Sequence, residues 1–152
     1  MNGTRIWAVK SWSISTLASF CLLFFTFSAS PAWADDLVLV GNHNLSVDTI
    51  STRDVRNVFL ATKKNINGAI VKPVTIADHN LTEYFLKKYI RQTPSQFSAY
   101  YIRKIFSGGG KKPKEVSSEA EMIRYVSHNK GALGYISSDA VTETVKIIQI
   151  KD

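Results

Sequence analysis

The chain has 152 residues, one cysteine, three histidines and a formal net charge of +7 at pH 7. This length allows one domain with a modest core. The histidines lack H-x-x-x-H or HExxH spacing, no G-x-S-x-G occurs, and no nucleic-acid-reading motif is present. The sequence therefore argues against a metal site, a serine hydrolase and a nucleic-acid partner, and it indicates no cofactor.

Residues 1–34 have the pattern of a secretory signal. Arg5 and Lys10 give a positive start, and residues 17–29 form a mostly apolar stretch. An A-x-A site that ends at Ala34 predicts cleavage there and export to the periplasm. A membrane anchor is the alternative, but a spanning helix needs roughly 18 or more apolar residues.

The predicted mature domain, residues 35–152, has a different composition from the whole chain. Lipid attachment at Cys21 is disfavoured because bulky Phe20 precedes it. Cleavage after Ala34 then removes the cysteine together with the signal. Disulfides and thiolate chemistry are then excluded. Two of the 19 basic residues and none of the 12 acidic ones also leave, so 17 basic and 12 acidic residues give a net charge of +5. This charge is compatible with a small anionic ligand but does not establish one.

The first half of the domain alternates strand and helix patterns. "DLVLVG" (36–41) predicts a buried strand, and Ser51 is placed as the N-cap of a helix. "NING" (65–68) predicts a turn before a second strand, "AIVKPVTIA" (69–77). Pro73 indicates that this strand lies at an edge or is irregular.

Two helices are predicted after this strand. The first follows Asp78-His79-Asn80, with Leu81 among its apolar residues. The second begins at Thr93, which is followed by Pro94 and, three residues after Thr93, by a glutamine. Its apolar stripe, predicted to be core, consists of Phe97, Tyr100, Tyr101 and Ile105.

A basic, glycine-rich stretch, "SGGGKKPK" (107–114), precedes the last elements. Ser118 and Glu121 predict the start of another helix, which should end near Gly131. "ALGYIS" (132–137) and "TVKIIQI" (144–150) are the last predicted strands. The order β-α-β-α-α-β-β predicts an α/β domain with a layered, partly parallel mixed sheet flanked by helices.

Three stretches, in this order, carry a resemblance: "DVRNVFLATKKNINGAIVKPV", "YYIRKIFSGGGKKPKEVSSEAEMIRYV" and "NKGALGYIS". They resemble the periplasmic phosphate-binding proteins of ABC transporters, and most of all a short-chain, substrate-binding-like branch. The resemblance spans residues 36–150, and it implies a periplasmic-binding-protein fold and a non-catalytic, phosphate-binding role.

The sequence departs from this family pattern in two ways. The family's Ser-Gly-Thr ligand loop falls on Asn80-Leu81-Thr82, so only the threonine matches. Full-length members also have two lobes that close on the anion, whereas residues 35–152 amount to about one lobe. The resemblance therefore supports the fold more firmly than phosphate specificity.

The junction at residues 78–82 is the first candidate anion site. Free N–H groups in the first turn of a helix attract an oxyanion, and Asn80, Thr82 and His79 could add donors. The alternative is purely structural, with Asn80 as the N-cap and Glu83 completing a capping box.

Two further candidates follow from position and composition. Ser107, Gly108 and Lys111 could surround an anion or gate a cleft, although a mobile, solvated loop is the alternative. Asn42 follows the first strand, where ligands often sit in α/β sheets, although a polar turn is the alternative.

Two function classes remain open at this point. The first is a periplasmic solute-binding protein for phosphate or a related oxyanion, associated with an inner-membrane ABC transporter or a sensor. The second is a protein-interaction or sensor module that has lost the small-ligand site, in which a homodimer or a membrane partner replaces the missing lobe.

Overall fold

The computed structural model describes residues 37–152, so the predicted export signal lies outside the described residues. The strands are β1 (Leu37–Gly41), β2 (Thr49–Ser51), β3 (Asn65–Ile66), β4 (Ala69–Ile70), β5 (Lys72–Ile76), β6 (Lys114–Val116), β7 (Ala132–Ser137) and β8 (Lys146–Lys151). The α-helices are α1 (Thr52–Phe59), α2 (His79–Phe85), α3 (Pro94–Phe106) and α4 (Glu119–His128). A π-helical turn, Leu86–Ile90, continues α2, and a 3₁₀ turn, Ser138–Ala140, follows β7.

Six strands form one mixed sheet in the order β2-β8-β1-β7-β5-β6. β1 runs antiparallel to both of its neighbours, β7 and β8. The pairs β2–β8, β5–β6 and β5–β7 are parallel, so these five strands share one direction. The predicted mixed, partly parallel sheet is confirmed, and β3 and β4 form a separate hairpin.

Helices cover both faces of the sheet. Successive residues of β7 point to opposite faces. On one face, a Cβ on Gly134 would collide with Met122 of α4. On the other face, the Tyr135 ring stacks on Phe85 of α2 at a centroid distance of 4.0 Å, and Phe59 of α1 meets Phe85 edge-on at 4.6 Å. The core therefore has two layers, one on each side of the sheet.

Local sequence signals place most helix starts correctly. Ser51, Thr93 and Ser118 each accept a hydrogen bond from the backbone N–H three residues on, and Thr93 forms a full capping box with Gln96. The prediction that Ile105 is core is wrong, because half of it is exposed. α3 buries only one side, on which the Tyr101 hydroxyl donates to the Phe59 carbonyl.

The predicted strand 69–77 is divided at Val71 into β4 and β5. β5 lies inside the sheet, but its pairing with β6 begins only at Val74. The Lys72 N–H donates to Gly131 on the β7 side, so the Pro73 nitrogen faces the other side, one residue before β6 begins. Pro73 is therefore tolerated at a local edge of an internal strand. Within residues 37–152, no helix is long and apolar enough to cross a membrane.

Candidate functional site

Three neighbouring parallel strands end at the same level. β5 pairs Pro73 with Leu133 of β7 and Val74 with Lys114 of β6. When this register is extended to the strand ends, Ser137, Ala77 and Ser117 form one row, which we call the strand-end row. With neighbouring strands about 4.8 Å apart, the row is about 10 Å wide. α2 begins just after Ala77, and α4 begins just after Ser117.

Asp78, rather than Asn80, caps α2. Its carboxylate accepts the Leu81 N–H at 2.8 Å, and its carbonyl accepts the Thr82 N–H at 3.1 Å. The capping box proposed for Asn80 is therefore wrong. The reason is that β5 ends at Ile76, so the first residue able to cap the helix comes two positions earlier than expected.

Glu83 forms an ion pair with Lys87 of the π-helical turn. Its carboxylate lies 2.6 Å from the Lys87 ammonium and 3.5 Å from the His79 ring. The hydrogen bond from Lys87 is the main reason that the pKa of Glu83 is lowered. The side chains of His79 and Asn80 are exposed to solvent at the start of the helix.

The Thr82 hydroxyl is hydrogen-bonded to other residues of the protein. It donates to the Ile76 carbonyl at 2.7 Å and lies 2.9 Å from the Tyr135 hydroxyl. Tyr135 is fully buried, and this burial raises its pKa to about 12. Thr82 therefore joins the start of α2 to β5 and β7, and its hydroxyl is already partnered.

At one end of the strand-end row, Ser137 holds a carboxylate of the protein itself. The Ser137 N–H and hydroxyl both donate to one oxygen of Glu119, each at 2.5 Å. Glu119 is the first residue of α4 and lies 18 positions away in the sequence. The serine thus forms a two-donor seat for an oxyanion oxygen.

At the other end, Ser117 does the same for Glu121. The Ser117 N–H and hydroxyl donate to one Glu121 oxygen at 2.7 and 2.6 Å. The hydroxyl bond is the largest cause of the lowered pKa of Glu121, followed by the N–H bond. Ser118 caps α4, as predicted, but the Glu121 carboxylate returns to Ser117 instead of completing a capping box.

Asn42 lies far from the strand-end row. Because β1 runs against the other strands, its carboxyl end is level with the first residues of β7. The Asn42 amide donates to the carbonyls of Val126 and Ser127 at 2.8 Å each, and its oxygen accepts the Asn44 N–H. The side chain is buried and joins the end of α4 to the turn after β1.

The residues Ser107, Gly108 and Lys111 lie before the first residue of β6, which is away from the row. The Gly108 and Gly109 N–H groups donate to carbonyls of Ile105 and Lys104 and thus close α3. The Ser107 hydroxyl also donates to Lys104. Of the seven candidates, the structure therefore brings only His79, Asn80 and Thr82 to the row.

The described residues offer no metal site. No group of three or more His, Cys, Asp or Glu side chains is placed to hold an ion in residues 37–152. His43 and His128 hydrogen-bond to the carbonyls of Glu143 and Arg124, respectively.

Solved structures, rather than sequences, show what the domain is similar to. No protein-family model and no curated protein sequence matches the chain. An ABC-type phosphate transport receptor from Vibrio cholerae gives a TM-score of 0.57 at 21% identity, over 76% of this chain and 46% of that one. A protein described as a phosphate ABC transporter substrate-binding protein, from Clostridium perfringens with bound phosphate, gives 0.60 at 15%, over 76% and 44%. PstS from Borrelia burgdorferi gives 0.54 at 12%, over 77% and 47%.

The domain has the fold of the phosphate-transporter substrate-binding proteins. The family resemblance seen in the sequence is thus confirmed at the level of the fold, which is what identities of this size can show. The chain spans less than half the length of each of these proteins, in keeping with a domain of about one lobe.

Sequence reasoning missed the serines and glutamates of the strand-end row. The stretch "VSSEAE" contains Ser117, Glu119 and Glu121, but its local pattern predicts only a helix start. Two serines followed by two glutamates directly after a strand are a usable signal, because N–H and hydroxyl donors at a strand end can seat carboxylates. The pairing with Ser137 depends on the sheet and is not visible locally.

Proposed function

We propose that the protein is an exported, non-catalytic binding protein for a small oxyanion, phosphate above all, that acts with ABC-type uptake or sensing. Residues 1–34 would be the cleaved signal and residues 35–152 the binding domain. The fold, the net charge of +5 of that domain and the donors at the strand ends support this proposal.

The observation that carries the proposal is the seating of carboxylate oxygens on Ser117 and Ser137. Each serine presents a backbone N–H and a hydroxyl to one anionic oxygen at 2.5–2.7 Å. These are the short distances of charge-assisted hydrogen bonds. Ser117 also lies at the start of α4, where the helix dipole favours negative charge.

Binding would proceed by exchange. A phosphate would take the two donors of Ser117 or those of Ser137, and the carboxylate of Glu121 or Glu119 would swing away. The two glutamates and Asp78 place negative charge at the same edge, which opposes an incoming anion. We therefore expect modest affinity for the isolated chain, and a second copy or a membrane partner that covers the open side would strengthen it.

Calorimetric titration with sodium phosphate and sodium sulfate tests the proposal. Ser117→Ala and Ser137→Ala should each weaken phosphate binding by about three- to tenfold, since each removes one hydrogen bond to a charged group. Ser98→Ala, an exposed serine on α3, is the control and should leave the affinity unchanged. Absence of phosphate binding at millimolar concentration, or binding indifferent to both serines, would refute the proposal.

The alternative function, an interaction module without a small-ligand site, has one observation in its favour. α3 exposes Ile102, Ile105 and Phe106 on one face, with 54%, 50% and 87% of each residue accessible. A patch of this kind is typical of a surface that a partner covers. Light scattering on the wild type and on Phe106→Ser distinguishes the two functions: a dimer lost in the variant, in a protein that ignores phosphate, would favour the module.

Export has its own test. N-terminal sequencing of the protein recovered from the producing cell should begin at Asp35. A chain that still begins at Met1 would contradict both the predicted signal and an exported binding function.

A further inference from the structure

A concavity lies between α1 and the π-helical turn. It has a volume of about 540 Å³ and is lined by Thr52, Arg53, Arg56, Tyr89 and Arg91. We call it the arginine cavity. Three of its five lining residues are guanidinium-bearing, and none is acidic. It shares no lining residue with the strand-end row.

The fold holds these arginines together across 35 positions of sequence, from Arg56 to Arg91. The Arg56 Nε donates to the Ile90 carbonyl at 2.8 Å, which fixes its guanidinium between α1 and the π-helical turn. The wider π turn, Leu86–Ile90, brings Tyr89 to the same wall. π-helical turns are rare and are frequent at functional sites.

Arg91 adopts an unusual backbone conformation at the edge of the cavity. Its φ and ψ are 61° and 39°, the left-handed region in which glycine or asparagine is normally found. An arginine at this position carries a conformational cost of about 1–2 kcal/mol. Arg91 is the C-cap of the π-helical turn, and its backbone N–H donates to the Leu86 carbonyl.

Neighbouring acids do not neutralise the cavity. Neither Arg53 nor Arg91 forms a salt bridge within residues 37–152. Asp54 is paired with Lys63 at 2.8 Å, and Asp152 accepts the Thr52 hydroxyl at 2.8 Å; both line the adjacent, mixed-charge concavity instead. Arg53 contributes only a longer-range lowering of the pKa of Asp54.

We propose that the arginine cavity binds an organic phosphomonoester. Guanidinium groups bind phosphate oxygens in a bidentate manner and stay charged at all physiological pH values. The volume lies in the usual range for organic ligands, roughly 300–1,000 Å³, and exceeds what an inorganic phosphate ion fills. The organic part of the ligand lies against the Tyr89 ring, and the dianion contacts Arg53, Arg56 and Arg91. This site is additional to the oxyanion site of the proposed function.

The test is calorimetric titration of the purified protein with phenyl phosphate, inorganic phosphate, phenol and succinate. Phenyl phosphate should bind, and Arg53→Gln and Arg91→Gln should each weaken it by about five- to tenfold, as expected for lost charge-assisted hydrogen bonds. Arg103→Gln is the matched control, because it removes an exposed arginine of α3 outside the cavity. Its effect should be under about twofold, since only general electrostatics changes.

A second readout keeps the proposal testable if a variant is unstable. The Tyr89 ring resonances should shift on addition of phenyl phosphate and should not shift on addition of phenol. Equal loss in Arg53→Gln, Arg91→Gln and Arg103→Gln would overturn the site, as would no binding of phenyl phosphate. Succinate binding as tight as phenyl phosphate would overturn the ligand class. Phenyl phosphate binding that depends on Ser117 and Ser137 but not on the arginines would overturn this inference and leave the proposed function standing.

Discussion

The hydrogen-bond donors of the strand-end row are neutral, whereas those of the arginine cavity are cationic. The row uses the N–H and hydroxyl groups of Ser117 and Ser137, and each pair already holds a carboxylate. The cavity presents Arg53 and Arg91, which have no salt-bridge partner among residues 37–152. A ligand must therefore displace a carboxylate in the first region and only water in the second.

The two regions also differ in how they are attached to the core. Thr82 and the buried Tyr135 lie directly below the row and tie it to the sheet. The cavity is formed by exposed and half-buried side chains of α1, the π turn and the residue after it. Only Arg56 is hydrogen-bonded to the backbone of the opposite element. Substitutions under the row should therefore affect stability, whereas substitutions in the cavity should affect binding.

The largest effect is expected for Tyr135→Ala. The substitution removes a fully buried ring that stacks on Phe85, so the free energy of unfolding should fall by about 3–5 kcal/mol. Urea denaturation followed by circular dichroism measures the change. A loss below about 1 kcal/mol would show that the residues beneath the row are not tightly packed.

Thr82→Val should have a smaller effect on stability. It leaves the Tyr135 hydroxyl with fewer partners and removes the bond to the Ile76 carbonyl, at a cost of about 1–2 kcal/mol. Thr144→Val, at an exposed position, is the matched control and should change stability little. If the two variants are equally stable, Thr82 is not part of a structural network and could face a ligand instead.

Glu121→Gln should change the strand-end row without touching the arginine cavity. Removal of the negative charge should strengthen phosphate binding by about fivefold, because the competing, repelling carboxylate is gone. Glu115→Gln is the control, since that carboxylate pairs with Lys112 outside the row. Unchanged or weaker phosphate binding in Glu121→Gln would mean that no exchange takes place.

The same variant has a pH signature. Hydrogen bonds from Ser117 hold the pKa of Glu121 below its ordinary value of 4.5. The charged form is thus favoured in the folded state, so its contribution to stability is full above pH 4.5 and is lost as the pH falls through the lower, folded-state pKa. The stability difference between wild type and Glu121→Gln should shrink on acidification; a difference constant from pH 7 to pH 3 would contradict the hydrogen bonds.

The smallest change in stability is expected for Arg91→Gly. Glycine relieves the left-handed strain but increases the entropy of the unfolded chain, so the net change should be under about 0.5 kcal/mol. Phenyl phosphate binding should nevertheless weaken, as in Arg91→Gln. A marked loss of stability would indicate that the Arg91 side chain serves the fold and would weaken the contrast between the two regions.

The sequence was most informative where a structure depends on neighbouring residues. The caps at Ser51, Thr93 and Ser118 use contacts three residues apart, and the Asn67-Gly68 turn uses two residues with positive φ. Such signals lie within one turn of chain. The α/β class followed from their order along the sequence.

Other features depend on tertiary pairing, and the sequence either does not predict them or predicts them at the wrong residues. β2 and β6 have three residues each, too few to show a period, and they exist because β8 and β5 provide a partner. Ile105 fits the apolar stripe of α3 but is half exposed, because no element covers that side. Asp78 caps α2 in place of Asn80, because β5 ends at Ile76, one residue before the end of the predicted strand.

The candidate site was predictable only in part. The position after β5 was recognised, because ligands in α/β sheets gather where strands end. Ser137 and Glu119 are joined across 18 residues by the sheet, and Arg56 and Arg91 are joined by packing of α1 on the π turn. Neither pair leaves a periodic or local signal in the sequence.

The most direct test of the account follows the backbone amides of Ser117 and Ser137 by NMR during a titration with phosphate. If the two serines exchange a carboxylate for the anion, both amide resonances should shift during the titration and reach saturation. If both amides stay fixed while phosphate binds elsewhere or not at all, the strand-end row is a structural junction and not an oxyanion site.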